Sequence, residues 1–521
     1  MVLLPIMVLL TLLGPSFALA KETPKGTKPN IVVIYTDDLG YGDVGCYGAT
    51  KVRTPNIDRL AKQGRMFTDA HSPSAVCTPS RYSLLTGEYA WRKKILGPRN
   101  LDRSLLINPK RLTLPRLLKQ NGYTTACIGK WHLGFGEKDG TDWNKELKPG
   151  PLEAGFDYYY GIPLVNSSPP FVYVENRHVV GLDPKDPFIL RQPNPAKPPN
   201  TKLSRSPVQE FPEKGGGERW SGATRAHELY RDKMLGTHLT EKSVAWMKKQ
   251  ADKKEPFFLY FATPQIHHPF TPHPRFEGTS DCGRYGDFIH ELDWMVGEVL
   301  KTLDEMKVTD NTLVIFTSDN GGMLNEGGKD AWKAGHRING DLLGFKFGAW
   351  EGGHRVPFIA CWPNRIKANS QSDQLICSID LMASFATMLN HSLKPQEAPD
   401  SVDVFEAFIG DPDQAIRKHL VLAPHKEKNL TIRSGKWVYI GAQGSGGFPG
   451  NYGGPGALAW AKQPNSDVTP NGKIRKGAPK EQLYDLEADL SQSKNVIEEH
   501  PEVAQELKQL LQRLRQRSQS R

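Results

Sequence analysis

The sequence predicts an α/β protein built on a doubly wound sheet, with a smaller region of different composition at its C-terminal end. Three observations carry that expectation. Short β-branched and aromatic runs at 30–36, 124–129, 256–262 and 313–318 have the unbroken apolar character of strands buried on both faces. Segments with apolar residues at helical spacing, 113–121, 239–249 and 289–305, lie between them. The chemically capable residues fall just past the ends of these strands, where ligands collect in open α/β sheets.

Residues 1–20 are almost wholly apolar and end in Ala18-Leu19-Ala20, a small-x-small pattern that reads as a secretory signal cleaved after Ala20. No Lys or Arg precedes Lys21, so an uncleaved anchor is the competing reading, but Pro5, Gly14 and Pro15 would interrupt a spanning helix. Export is therefore expected, to the periplasm, the medium or the lysosome according to host, without stable membrane insertion. The 521 residues, 38% hydrophobic and 24% charged, have a globular rather than a disordered composition. Lys and Arg outnumber Asp and Glu by 67 to 57, a net charge of +10 that suits a polyanionic partner. No nucleic-acid-binding motif accompanies that charge, so nucleic acid is not the expected partner. The six cysteines (Cys46, Cys77, Cys127, Cys282, Cys361 and Cys377) show neither a C-x-x-C pair nor zinc spacing. Cys127 and Cys361 lie in strand-like runs and read as buried thiols.

The first strand, NIVVIYT at 30–36, delivers Asp37 and Asp38 at its carboxyl end. Adjacent carboxylates there repel one another unless a cation or a positive cluster sits between them. The strand at 313–318 repeats the pattern and delivers Asp319 and Asn320. Either D-D or D-N-G alone is more often a turn. Together, three carboxylates and an amide oxygen make a hard-oxygen site suited to Ca²⁺, and less well to Mg²⁺.

Between these strands stands Cys77-Thr78-Pro79-Ser80-Arg81, continuing to Thr86-Gly87. Pro79 suits the first turn of a helix that 82–85 can extend, so the Cys77 side chain is expected beside the unpaired N–H groups of a helix start, an end that attracts anions. Arg81 adds a positive fork of the kind that holds tetrahedral oxyanions. C-x-P-S-R followed by T-G resembles the signature of the type I sulfatases, and the overall pattern of the chain is most similar to their arylsulfatase and N-acetylgalactosamine-6-sulfatase branch.

That resemblance implies an alkaline-phosphatase-like sandwich with a large mixed central sheet and a smaller C-terminal antiparallel sheet closed by a helix. With the signal read at 1–20, it places a catalytic domain at 21–410 and the small-sheet subdomain at 411–521. It also implies that Cys77 is converted to formylglycine by a formylglycine-generating enzyme, and that Asp37, Asp38, Asp319, Asn320 and the modified Cys77 hold the metal. G-K-W-H-x-G at 129–134 resembles a family motif and carries Lys130 and His132, which strand alternation would put on one face. The family pattern further selects His267 in QIHHP, two residues before Pro269, and Lys346, five residues before Glu351-Gly352-Gly353. Cys77, Arg81, Lys130, His132, His267 and Lys346 are thus the implied catalytic set, with His336 and Asn339 as candidate substrate contacts. The implied reaction is hydrolysis of a sulfate monoester on a sulfated sugar or an aryl sulfate. The alternatives are a phosphate or phosphonate monoester hydrolase of the same superfamily and a non-catalytic binder of sulfated glycans.

Residues 181–217, rich in Pro, Gly, Lys and Ser, read as a long surface excursion. Just before it, Val165 stands where the family usually supplies a serine to the sulfate pocket, leaving Asn166 or Ser167 to substitute or the contact to be absent. After Phe408 the composition changes: 436–440 reads as a strand, 441–456 as a glycine-rich loop, 503–514 as a helix and 515–521 as a frayed basic tail. Glycosylation sequons occur at Asn166, Asn390 and Asn429.

Overall fold

The computed structural model describes residues 28–99, 103–185, 187, 229–448 and 452–521. The leader at 1–20 and most of the 181–217 excursion lie outside them. Among the described residues sixteen strands form: β1 Asn30–Thr36, β2 Arg65–Phe67, β3 Ala70–His71, β4 Thr124–Lys130, β5 Tyr158–Ile162, β6 Val174–Glu175, β7 His178–Val179, β8 Phe257–Ala262, β9 Thr312–Ser318, β10 Phe358–Cys361, β11 Ser370–Ser372, β12 Ile376–Cys377, β13 His419–Leu422, β14 Thr431–Ser434, β15 Trp437–Ile440 and β16 Gln482–Asp485. Ten make one mixed sheet in the order β11-β2-β10-β9-β1-β8-β4-β5-β6-β7. β1 lies at its centre, parallel to β8 on one side and β9 on the other. Strands β13 to β16 form the separate antiparallel sheet, and β12 pairs with β3.

Strand alternation divides the core into two layers, which is what makes the sheet a sandwich. Ile31, Val33 and Tyr35 face one layer with Leu84, Leu117 and Phe385, from helices Cys77–Thr86, Leu114–Gln120 and Leu381–Met388. Val32 and Ile34 face the other with Ile57, Leu239 and Met295, from helices Pro55–Gln63, Leu235–Lys248 and Arg284–Glu305. The three helices expected between the strands are all present. The last two start four and five residues earlier than their apolar spacing indicates, because tertiary packing also buries Leu235, Gly236, Tyr285 and Phe288. The Pro501–Gln516 helix covers the small sheet, burying Leu507 and Leu511 with Leu420 and Ile432.

The C-terminal tail does not fray. The Ser520 hydroxyl donates to Asp400, and the Ser520 amide to the Pro399 carbonyl, so the tail docks where Arg92 also meets Asp400. All six cysteines are unpaired. Of the three sequons, Asn166 and Asn429 are buried and only Asn390 is exposed. No helix among the described residues is long and apolar enough to cross a membrane.

The fold also fixes the turn that follows β8. The Asp37 amide donates to the Gln265 carbonyl (2.8 Å), and the Ile266 amide returns a bond to the Asp37 carbonyl (2.6 Å). Glu291 is buried beneath this turn, where burial, only partly offset by the His273 amide and Arg275, raises its carboxyl to about 8. Between the ordinary carboxyl range and pH ~8, folding therefore retains a proton that the unfolded chain releases, and stability falls as pH rises through that window. Glu291→Gln should remove the loss, so its denaturant midpoint should pull ahead of the parent's as pH rises from about 5 to 8. A pH-independent gap would contradict this.

Candidate active site

The site begins with strand register. Thr36 pairs with Ser318 across β1 and β9, so Asp37 and Asp319 leave the sheet side by side, and the Asp319 amide still donates to the Thr36 carbonyl (3.1 Å). Asp38 turns into the left-handed region at φ 62°, and its own amide donates to Asp319 Oδ1 (3.3 Å). Each carboxylate has a close cation of its own, and Lys130 Nζ also lies 3.9 Å from Asp319 Oδ2. Arg81 Nε and Nη2 hold Asp319 Oδ2 at 2.9 and 2.8 Å, Lys130 Nζ lies 2.6 Å from Asp37 Oδ2, and Lys346 Nζ bonds to Asp38 Oδ1. All six groups are buried, so the pairing is obligatory: an unpaired charge there would cost several kcal/mol, about 3–5 when a partner is removed.

Arg81 reaches Asp319 because the Cys77–Thr86 helix points its first turn at the same spot. The Val76 position preceding it supplies no side-chain cap, and Cys77 occupies the opening turn. One atom each of Asp37, Cys77 and Asp319 lie within 4.8 Å of one another. His132 Nδ1 stands 3.4 Å from Cys77 Sγ. Strand alternation does not bring His132 here: β4 ends at Lys130, and His132 sits beyond it at φ 58°. The cause is Gly129, at φ 120°, where a Cβ would lie 1.9 Å from the Ala262 carbonyl oxygen; only glycine lets β4 approach β8 so closely before the chain breaks away.

His267 Nε2 lies 3.8 Å from Asp38 Oδ2, and its Nδ1 bonds to the His268 carbonyl (2.6 Å). His336 and Asn339 are spent elsewhere. His336 Nε2 bonds to Asp43 (2.7 Å), while Asn339 accepts from the Gly322 amide and donates to the Gly322 and Gly344 carbonyls. Asn166 donates to the His267 and Pro269 carbonyls, so it orders the histidine turn.

A family model described as Sulfatase matches residues 29–391. The chain belongs to the sulfatase family. Over 531 aligned residues, 99% of this chain and 98% of the relative, it is 40% identical to an N-acetylgalactosamine-6-O-sulfatase of Bacteroides thetaiotaomicron. It is 34% identical to human arylsulfatase H over 66% of each chain. A solved B. thetaiotaomicron structure, from work on the metabolism of multiple glycosaminoglycans, superposes with a TM-score of 0.78 at 37% identity, covering 94% of this chain and 100% of that one. The phosphonate monoester hydrolase of Agrobacterium radiobacter shares the fold at TM-score 0.58 and 17% identity, covering 94% and 96%.

The electrostatics of this sulfatase follow from burial. Burial pushes the Cys77 thiol up, although Lys130 and Lys346 pull it the other way, so a thiolate is disfavoured. Burial, then Lys130 and Arg81, hold His132 well below its ordinary value. Its Nε2 faces the Arg99 carbonyl (3.1 Å), which requires the proton on that nitrogen and leaves Nδ1 as a lone pair toward position 77. Arg99 and Thr78, whose hydroxyl accepts from the Arg99 amide and donates to the His132 carbonyl, thus orient the histidine. Neither carries a sequence signal: Arg99 acts through its own amide and carbonyl, and the Thr78 hydroxyl meets only backbone groups.

The donor set fits a divalent cation. Asp37 Oδ1, Asp38 Oδ2 and Asn320 Oδ1 are buried without a hydrogen-bond partner, an arrangement that costs free energy unless something positive meets those oxygens. With a bound ion stabilising the folded state, added Ca²⁺ should raise the thermal midpoint of the parent, and Asp37→Asn should abolish that rise. A rise that persists in Asp37→Asn would put the ion elsewhere.

Proposed function

We propose that this sulfatase hydrolyses sulfate monoesters on carbohydrate, with the 6-O-sulfate of N-acetylgalactosamine as the first substrate to test. The observation that carries the reading is position 77: a single buried side chain enclosed by Asp37, Asp319 and His132, with the Lys130 and Lys346 charges beside it. The whole-length likeness to an N-acetylgalactosamine-6-O-sulfatase supports the substrate class, and the +10 net charge suits a sulfated polymer. We further assign the apolar leader to export.

An unfavoured thiolate makes Cys77 a poor nucleophile as it stands. Converted to formylglycine, it supplies a hydrated aldehyde whose one hydroxyl oxygen attacks sulfur and whose second gives sulfate a route out. Asp37, Asp38, Asp319, Asn320 and position 77 would hold Ca²⁺, which supplies positive charge to the sulfate oxygens and favours the ionised nucleophile. Lys130 and Lys346, both buried, offset charge building on the equatorial oxygens. Arg81 aims Asp319 through two contacts to Oδ2 and opposes the upward push that burial and Asp37 give its carboxyl. His132 Nδ1, already a lone pair, takes a proton from position 77. Lys346 and His267 both adjoin Asp38 and are the pair we assign to the leaving oxygen. Lys346 carries the proton: burial lowers its affinity, but Asp38 outweighs this and holds the ammonium above its ordinary value, while burial, His268 and Lys346 keep His267 neutral.

Released sulfate, followed on N-acetylgalactosamine 6-sulfate, should fall by roughly 10³-fold or more in Cys77→Ala. The parent should also prefer the sulfate over the phosphate ester of one phenol. Full activity in Cys77→Ala, or the opposite preference, would sink the reading.

A further inference from the structure

The residues around position 77 recognise charge; nothing in that set recognises the sugar to which a sulfate is attached. We propose that Phe448 and His425, carried by the glycine-rich loop and the small-sheet region, form with Phe347 the subsite that holds the sugar ring. The inference rests on the sulfate-ester reading and adds the part of the site that selects what the ester is attached to.

Phe347 is tied on both sides. Its amide donates to the Ala75 carbonyl (2.8 Å), two residues before Cys77, and its carbonyl accepts from the His425 amide (3.0 Å). It takes φ 74°, a conformation an aromatic residue rarely adopts, so the backbone is bent to place this ring. The ring joins Val76 and Cys77 in a small apolar cluster with Met323 and Phe448 packed on it. Phe448 stands edge-on to Phe347 at 4.4 Å between centroids, and the His425 ring lies 4.1 Å from Phe448. Phe347 is buried, whereas Phe448 and His425 are half-buried, so an aromatic series runs from position 77 to the surface.

A pyranose has an apolar C–H face and a rim of hydroxyls, and an aromatic face beside a hydrogen-bond donor matches both. His425 supplies the donor. Its Nδ1 is buried without a partner, and a Cβ at Gly97 would lie 3.2 Å from its Cε1. Nδ1 is closed off, which leaves Nε2, with no bond among the described residues, as the ring nitrogen that meets a sugar hydroxyl. Phe448 also borders a cavity of about 290 Å³ with Lys426, Lys428 and Gln443, which leaves room and positive charge for the rest of an acidic glycan.

The test is calorimetric binding in the Cys77→Ala background, where no ester is consumed, with N-acetylgalactosamine 6-sulfate and inorganic sulfate as the two probes. The sugar sulfate should bind roughly tenfold or more tightly than sulfate. Adding Phe448→Ala should erase that difference while leaving sulfate affinity within about twofold; His425→Gln should reduce it, and Phe448→Trp should keep it. Equal affinity for the two probes, or a difference that survives Phe448→Ala, overturns the proposal. Failure of the sulfate-ester reading is separately visible, as absent sulfate release by the converted parent.

Discussion

Everything at the mouth of the sheet depends on three buried ion pairs, Asp319 with Arg81, Asp37 with Lys130 and Asp38 with Lys346. Removing these charges from water is expensive, and a hydrophobic replacement of the set would cost the fold less. The pairs therefore make sense as a functional charge reservoir held by rigid elements. The carboxylates come from the ends of two adjacent parallel strands, and Arg81 from a helix packed on the same sheet. Their opposite signs balance, which is what allows the fold to bury them while some of their oxygens still lack partners.

Much of this was legible in the sequence. β1 and β9 are apolar runs that end in carboxylates, and the motif around Cys77 combines a helix start with an arginine on the same face. What the sequence could not show was the route of the chain after β4. Alternation puts Lys130 and His132 on one face, and both do reach the site, but His132 arrives through a break that Gly129 permits. His336 and Asn339 lie near family motifs in the chain, yet their bonds are made to Asp43 and to backbone groups. The tail at 515–521 has a composition that suggests fraying, and its docking on Asp400 is visible only once residues far apart in sequence are brought together.

The small sheet does more than close the molecule. His425 follows β13, its amide holds the Phe347 carbonyl, and Phe347 packs against Cys77. Arg99 contributes from another loop, orienting His132 through its carbonyl. The large sheet thus fixes the charges, while loops and the second sheet set the histidine tautomer and build the walls. This division matches the physics of each part: charge placement needs strands that cannot move, and recognition of a varied ligand needs segments that can change without unfolding the core.

The proposed reaction requires Cys77 to work as formylglycine and not as a thiol. Peptide mass spectrometry across Cys77, on protein made in a host that contains the converting machinery, tests it most directly. The mass of formylglycine is expected at position 77, in proportion to the sulfate-releasing activity of each preparation. An unmodified cysteine in fully active protein would contradict it.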